Sequence, residues 1–377
     1  MDNIYLAGVC SVVPGLGRAH LPQAIEKLGS AKNLFYATGE QLATLGFFSE
    51  RAISHFLFGR KKVDPLALAK RCDDLGIRII SIYDEEYPSP LKEIHNPPLI
   101  LYVKGHLPNF EYAIGIVGSR LATSYGIKAA QYFAKSLVAG DVPVISGGAV
   151  GIDTAAHRAV LQEDGVTVAV LGCGLDIVFP PENVQVFRDI LKRGALVSEY
   201  PPGSPPIAAH FPPRNRIIVG LSRGVIVCEA ALRSGALITA RTAVDEQREV
   251  YCVPGNIFEP TSVGCHEMIK QGAKLITDAR ELFLDREDYR RRLEKKSDLF
   301  REEKLVKPAA QKRHSEDLST LTEVGKKLFE LLGQGPMPLD ALIESSGLDF
   351  TAISMELLDL QVTGLIDQDS AQRYFRI

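Results

Sequence analysis

Val142-Pro-Val-Ile-Ser-Gly-Gly-Ala-Val-Gly-Ile-Asp-Thr-Ala-Ala-His157 decides the fold. A short apolar run ends in a glycine-rich turn that opens a helix, the passage from strand to helix of a doubly wound α/β sheet. The same texture recurs on either side, in the runs Tyr112–Val117, Val166–Leu171, Ala195–Ser198, Gly224–Cys228 and Glu249–Val253. Several are apolar throughout, as strands covered on both faces by helices must be. In such a sheet, ligands sit beyond the carboxyl ends of the strands, where strand order reverses. The residues after each strand are therefore the candidate site: Ser119 and Arg120, then Ser146, Gly147, Gly148 and Gly151, then Glu199, then Glu229 with Arg233, Ser234 and Gly235. Glycine admits close approach of an anion, and a helix start beyond it offers N–H donors. Between the fourth and fifth strands, Phe211 stands beside Arg214, Asn215 and Arg216, a grouping that suits either a solvated helix start or a nucleic-acid backbone with one base stacked.

The 377 residues carry 43 Lys+Arg against 46 Asp+Glu, a net charge of −3, so any nucleic-acid site must come from local patches. Hydrophobic residues at 46% and charged residues at 24% are ordinary globular usage. No apolar run reaches the ~18–20 residues of a membrane span, and the N-terminus lacks the basic region of a secretion signal, so a cytoplasmic location is expected. Six well-spaced cysteines without a CxxC pair predict reduced thiols and no cysteine-based zinc site. No GxxxxGK[ST] motif occurs, which argues against a P-loop ATPase. Asp153 and His157 are spaced as an acid/base pair, yet they also suit a helix cap and its first turn. No nucleophile or metal set stands out, so binding is expected rather than catalysis, with no cofactor and no metal.

The chain divides into an N-terminal helical region at 1–80, a Rossmann-like core at 81–284, a charged linker at 285–316 and a last unit at 317–377. Val13-Pro-Gly-Leu-Gly17 before the helical Leu21–Leu28 looks like a helix-hairpin-helix, which either presents amides to a phosphate or only joins helices. Arg290-Arg291-Arg292 in the linker is interleaved with acids and reads as a solvated face. The last unit reads as a winged helix. Its last helical segment, the supposed recognition helix from Thr351, carries Glu356, Asp359 and Gln361 and no Lys or Arg, which favours protein contact or packing over duplex reading.

Ile116-Val-Gly-Ser-Arg120, Ser146 to His157, Ser198-Glu-Tyr-Pro-Pro-Gly203, Phe211 to Leu221, Glu229 to Ala240 and Val253-Pro-Gly255, in this order, resemble the DNA-processing protein A (DprA/Smf) family. The resemblance implies an α/β Rossmann-like parallel sheet core with an N-terminal small helical (helix-hairpin-helix/SAM-like) domain and a C-terminal winged-helix domain. It implies a non-enzymatic, sequence-nonspecific single-stranded DNA binder that protects incoming DNA in natural transformation, loads the RecA recombinase and forms a homodimer. The DNA pocket would hold Ser119, Arg120, the Ser146–Gly151 loop, Phe211, Arg214, Asn215, Arg216 and Arg233-Ser234-Gly235. Two positions depart from the family pattern. Gly148 replaces a larger apolar residue, which predicts a looser loop, and His266 stands where asparagine is usual. The rival reading, a phosphoribohydrolase-like nucleotide enzyme, needs a Pro-Gly-Gly-x-Gly-Thr loop where this chain has Val253-Pro-Gly255-Asn256.

Overall fold

The computed structural model describes residues 2–12, 15–284, 321–333, 335–362, 365–368 and 373–376. They fall into two compact units, one within residues 1–300 and one within 301–377. The expected linker at 285–316 lies outside the described residues.

The first unit is built on a nine-stranded sheet. Its strands are β1 (Arg78–Ser81), β2 (Ile100–Gly105), β3 (Ile114–Val117), β4 (Val144–Ser146), β5 (Thr167–Leu171), β6 (Ala195–Ser198), β7 (Gly224–Val227), β8 (Glu249–Cys252) and β9 (Lys274–Leu275). They lie in the order β1-β2-β6-β5-β4-β3-β7-β8-β9. From β6 to β9 all pairs are parallel, while β1 and β2 add two antiparallel strands at one edge. The chain runs outward from β3 to β6, then returns to place β7 on the other side of β3. That reversal opens a crevice at the carboxyl ends of β3 and β7.

Fourteen α-helices accompany these strands among the described residues. The first six are α1 (Asp2–Ser11), α2 (Leu21–Leu28), α3 (Ala31–Tyr36), α4 (Gly39–Thr44), α5 (Glu50–Gly59) and α6 (Pro65–Asp74). Next come α7 (Ser89–Lys92), α8 (Ser124–Ala139), α9 (Ile152–Gln162) and α10 (Val184–Ile190). The last four are α11 (Phe211–Gly220), α12 (Gly235–Asp245), α13 (Val263–Lys270) and α14 (Arg280–Leu284).

Alternation along each strand sends side chains to two separate cores. Val117, Ile145, Val168, Val170, Val197, Val225 and Val227 face the layer of α7, α11, α12 and α13. On the opposite face, Ile114, Ile116, Val144 and Ile226 pack against α8 and α9. The rest of that face, with Ile100, Tyr102, Ala169, Leu171 and Leu196, packs against the N-terminal helices through Leu6, Leu34, Leu42 and Phe56. The N-terminal helices therefore supply one layer of the core itself. A boundary at residue 80 falls inside β1, because β1 and β2 are strands of the same sheet.

In the helix-hairpin-helix segment, Gly29 at φ 82° ends α2 and the Ser30 hydroxyl caps α3 by accepting from the Asn33 amide. Val13 and Pro14 lie outside the described residues.

The second unit packs helices Glu323–Leu332, Leu339–Ser346 and Phe350–Val362 around Leu328, Leu342, Ile353 and Leu360. A three-stranded sheet completes it, with β12 (Arg373–Arg376) between β10 (Met337–Pro338) and β11 (Ile366–Gln368). This is the winged-helix arrangement.

Leu34 is fully buried among the N-terminal helices. Leu34→Ala is expected to cost about 2–5 kcal/mol. Because that core continues into the sheet, urea unfolding should shift as one transition, and amides of β5 should lose hydrogen-exchange protection together with those of α1. Loss confined to the helices would show that they fold apart from the sheet.

Candidate nucleic-acid interface

An open cavity of about 680 Å³ lies at the carboxyl ends of β3 and β7. That size falls within the ~300–1,000 Å³ of ordinary ligand clefts. Its walls come from the expected strand-end loops: Gly118 to Leu121 after β3, Ala149 and Asp153 after β4, and Ala231 to Thr239 around the start of α12. The fourth side is α11, which presents Phe211, Arg214, Asn215 and Ile218. These are spaced i, i+3, i+4 and i+7, one stripe of a helix.

Arg120 and Arg233 are both exposed at the cavity. The Arg120 guanidinium sits 5.6 Å from the centre of the Phe211 ring, and Arg214 sits 5.7 Å from it. Phe179 also lines the cavity and tilts against Phe211 at 5.7 Å between ring centres. Gly172 makes room for Phe211, since a Cβ there would lie 3.1 Å from the ring. The arrangement pairs cations with aromatic faces, which suits phosphates alongside stacked bases.

In the glycine loop after β4, expected as a phosphate cradle, three of the amides already have partners within the chain. Asp153 accepts from the amides of Gly147 (3.1 Å) and Ala149 (3.3 Å), and the Ile152 amide donates to the Ser119 carbonyl. A carboxylate of the chain itself thus holds the place of an anion. Arg214, only 4% exposed, donates through Nη1 to the carbonyls of Gly147 and Val170. A Cβ at Gly147 would lie 2.5 Å from Arg214 Nη1 and 2.8 Å from Asp153 Oδ2, so glycine is required where the two charges meet. Burial pushes the Asp153 carboxyl up, while Arg214 and the two amides pull it down. Burial lowers Arg214 to about 10, with Asp153 opposing the shift, so it stays charged at neutral pH.

The thirteen expected site residues therefore separate. Ser119, Arg120, Phe211, Arg214, Asn215, Arg233, Ser234 and Gly235 line the cavity. Ser146 is fully buried and donates to the Ile116 carbonyl between β3 and β4, and Gly147 and Gly148 are buried behind the lining. Gly151, at φ 82°, serves the entry into α9. Arg216 points away from Arg214 and pairs with Glu199 at 2.6 Å. Two residues apart on a helix, the arginines cannot share a face.

Both departures from the family pattern are compensated. Gly148 adopts φ 66°, and the Phe187 ring fills its side, within 2.9 Å of where a Cβ would stand. Asn183 Nδ2 donates to the Gly148 carbonyl at 2.9 Å, so the loop is held rather than loosened. His266 Nε2 lies 3.1 Å from the Gly255 carbonyl and 3.3 Å from its amide, which gives the position a polar role in that turn.

Sequence reasoning missed Phe179 and Asn183. The signal for Phe179 was present: Phe179-Pro180-Pro181 repeats the Phe211-Pro212-Pro213 pattern. Among the described residues, no cluster of three His, Cys, Asp or Glu side chains is arranged to hold a metal ion, and all six cysteines are free of disulfides. No described helix is long and apolar enough to cross a membrane.

The sequence model of the DNA recombination-mediator protein A family matches residues 78–287, and that of the DprA winged helix domain matches residues 312–372. Over 385 residues the chain is 31% identical to Protein Smf of Synechocystis, covering 97% of each. Among solved structures, DNA processing protein A from Streptococcus pneumoniae aligns with a TM-score of 0.65 at 36% identity, over 74% of this chain and 96% of that one. The Helicobacter pylori protein of the same name, solved for its single-stranded DNA binding mode, aligns with a TM-score of 0.50 at 28% identity, over 55% and 93%.

Behind the cavity, Thr167 Oγ1 donates to the Val144 carbonyl, so its contact with His157 Nδ1 at 2.7 Å is donated by the imidazole. His157 is fully buried, and burial with the Arg214 charge lowers it to about 3. The neutral ring contributes stability above its unfolded value near 6.5, and that contribution is lost as pH falls toward 3. Between pH 6.5 and 4.5, the wild-type chain should lose about 1.4 kcal/mol per pH unit more than His157→Gln, read as the difference between their urea midpoints. Parallel pH profiles would contradict a buried neutral imidazole.

Proposed function

The chain belongs to the DNA recombination-mediator protein A family, and from that premise we propose that its crevice binds single-stranded DNA without reading sequence. Exposed Arg120 and Arg233 take phosphates, while Phe211 and Phe179 offer ring faces to bases. The observation that carries this reading is the placement of both cations and both rings in one open cavity, with Arg120 against Phe211. Stacking accepts any base, because every base has a π-face.

The bound strand is then protected and delivered to the RecA recombinase, in natural transformation and homologous recombination, by a cytoplasmic homodimer. We place the protein as a binder rather than a catalyst that needs a cofactor. Support comes from Asp153 and His157, the acid/base candidates, which are engaged by loop amides and by Thr167. The winged helix is assigned to protein contact: its helix Phe350–Val362 exposes Met355 and Leu358 and has no Lys or Arg.

Fluorescence anisotropy with labelled oligo-dT at two salt concentrations tests the proposal. Arg120→Ala should weaken binding about tenfold and lower the salt slope by about 0.7, the value of one single-strand phosphate contact. Phe211→Ala should cost about 1–3 kcal/mol at either salt, as loss of a stacking platform does. Unaltered affinity in Arg120→Ala would remove the cavity from the interface. Full displacement by a mononucleotide would turn it into a small-molecule nucleotide site.

A further inference from the structure

Glu229 follows β7 and is 1% exposed, yet every acceptor it owns is spoken for. Its main-chain carbonyl accepts from the Ser119 amide at 2.7 Å. Its carboxylate accepts from the Thr123 amide at 2.8 Å through Oε2, and from the Thr123 hydroxyl at 2.9 Å through Oε1. The Thr261 hydroxyl also donates to Oε1. The Thr123 hydroxyl in turn caps α8 by accepting from the Gly126 amide. Gly126 has no side chain where a Cβ would collide with the Glu229 carboxylate, so the carboxylate sits directly against the first turn of α8. A negative charge at a helix start is favoured by the aligned peptide dipoles.

Glu229 therefore grips both ends of one short segment, Ser119-Arg120-Leu121-Ala122-Thr123. Arg120 stands between the two grips, exposed and facing the cavity. Four residues beyond Ala230, the Ser234 amide donates to the Ala231 carbonyl, which fixes the turn carrying Arg233.

We infer that Glu229 is a positioning residue for Arg120: it touches no nucleic acid, but it holds the segment that aims the guanidinium at the bound phosphate. This rests on the single-strand reading of the cavity. A buried carboxylate joined to hydroxyls has a specific consequence. Hydroxyls of Thr123 and Thr261 can turn and accept from an amide –NH₂, while the amide oxygen keeps the Thr123 N–H. Glutamine should thus keep the segment in place, and alanine should release its Thr123 end while the main-chain bond to Ser119 remains.

A double-mutant cycle with labelled oligo-dT tests this in the full chain, using Glu229→Ala, Arg120→Ala and the double variant. Glu229→Ala should weaken binding about tenfold, and its effect should shrink below about twofold when Arg120 is already absent, since the two act as a unit. Glu229→Gln should recover most of the loss. An equal loss in both backgrounds, or a glutamine variant as weak as the alanine one, would overturn the inference. Should circular dichroism show that Glu229→Ala does not fold, Thr123→Val removes the hydroxyl part of the same link, and its loss should depend on Arg120 in the same way. No binding by the wild-type chain would bring down the single-strand reading itself, whereas binding with an additive cycle would remove only the role of Glu229.

Discussion

The carboxyl edge of the sheet depends on two buried charges of opposite sign that meet across Gly147. Arg214 ties the carbonyls of Gly147 and Val170 together, and Asp153 gathers the amides of Gly147 and Ala149. Each charge offsets part of the cost of burying the other. This clamp fixes the ends of β4 and β5, and it lays down the floor on which Phe211 rests. A glycine-rich loop of this kind is usually free to accept an anion from outside. Here a carboxylate of the chain occupies part of it, so the loop becomes part of the wall, while Arg120 and Arg233 on neighbouring loops stay exposed at the cavity.

Much of the fold was legible because burial on both faces leaves a strong mark. The six apolar runs match β3 to β8 to within two residues at each end. β2 was obscured by Asn96-Pro97-Pro98, whose turn signal masks the apolar run that follows, and β9 is only two residues long. The site was legible loop by loop, since topology alone places the ends of parallel strands along one edge. Helix phase was the finer signal that composition hid. Phe211, Arg214, Asn215 and Ile218 make one stripe facing the cavity, and Arg216 falls off it. Its partner Glu199 lies seventeen residues earlier, a separation that no local pattern reveals.

The N-terminal helices change what counts as the core. Their cluster is continuous with one face of β2, β5 and β6, so the sheet is covered on that side by a segment that sequence texture marks as a separate domain. Composition shifts where the chain passes from helices to strands. Packing does not, because the helices bury the same strands that position the cavity. Family membership fits this organisation, with the matched region beginning at β1.

The most direct test of the central claim is photocrosslinking of a bromodeoxyuridine-substituted single strand to the full chain, with adducts mapped by mass spectrometry. Stacking in the crevice predicts adducts on Phe211 or Phe179, suppressed by excess unlabelled oligo-dT. Adducts confined to the N-terminal helices or the winged helix, with none at the crevice, would contradict it.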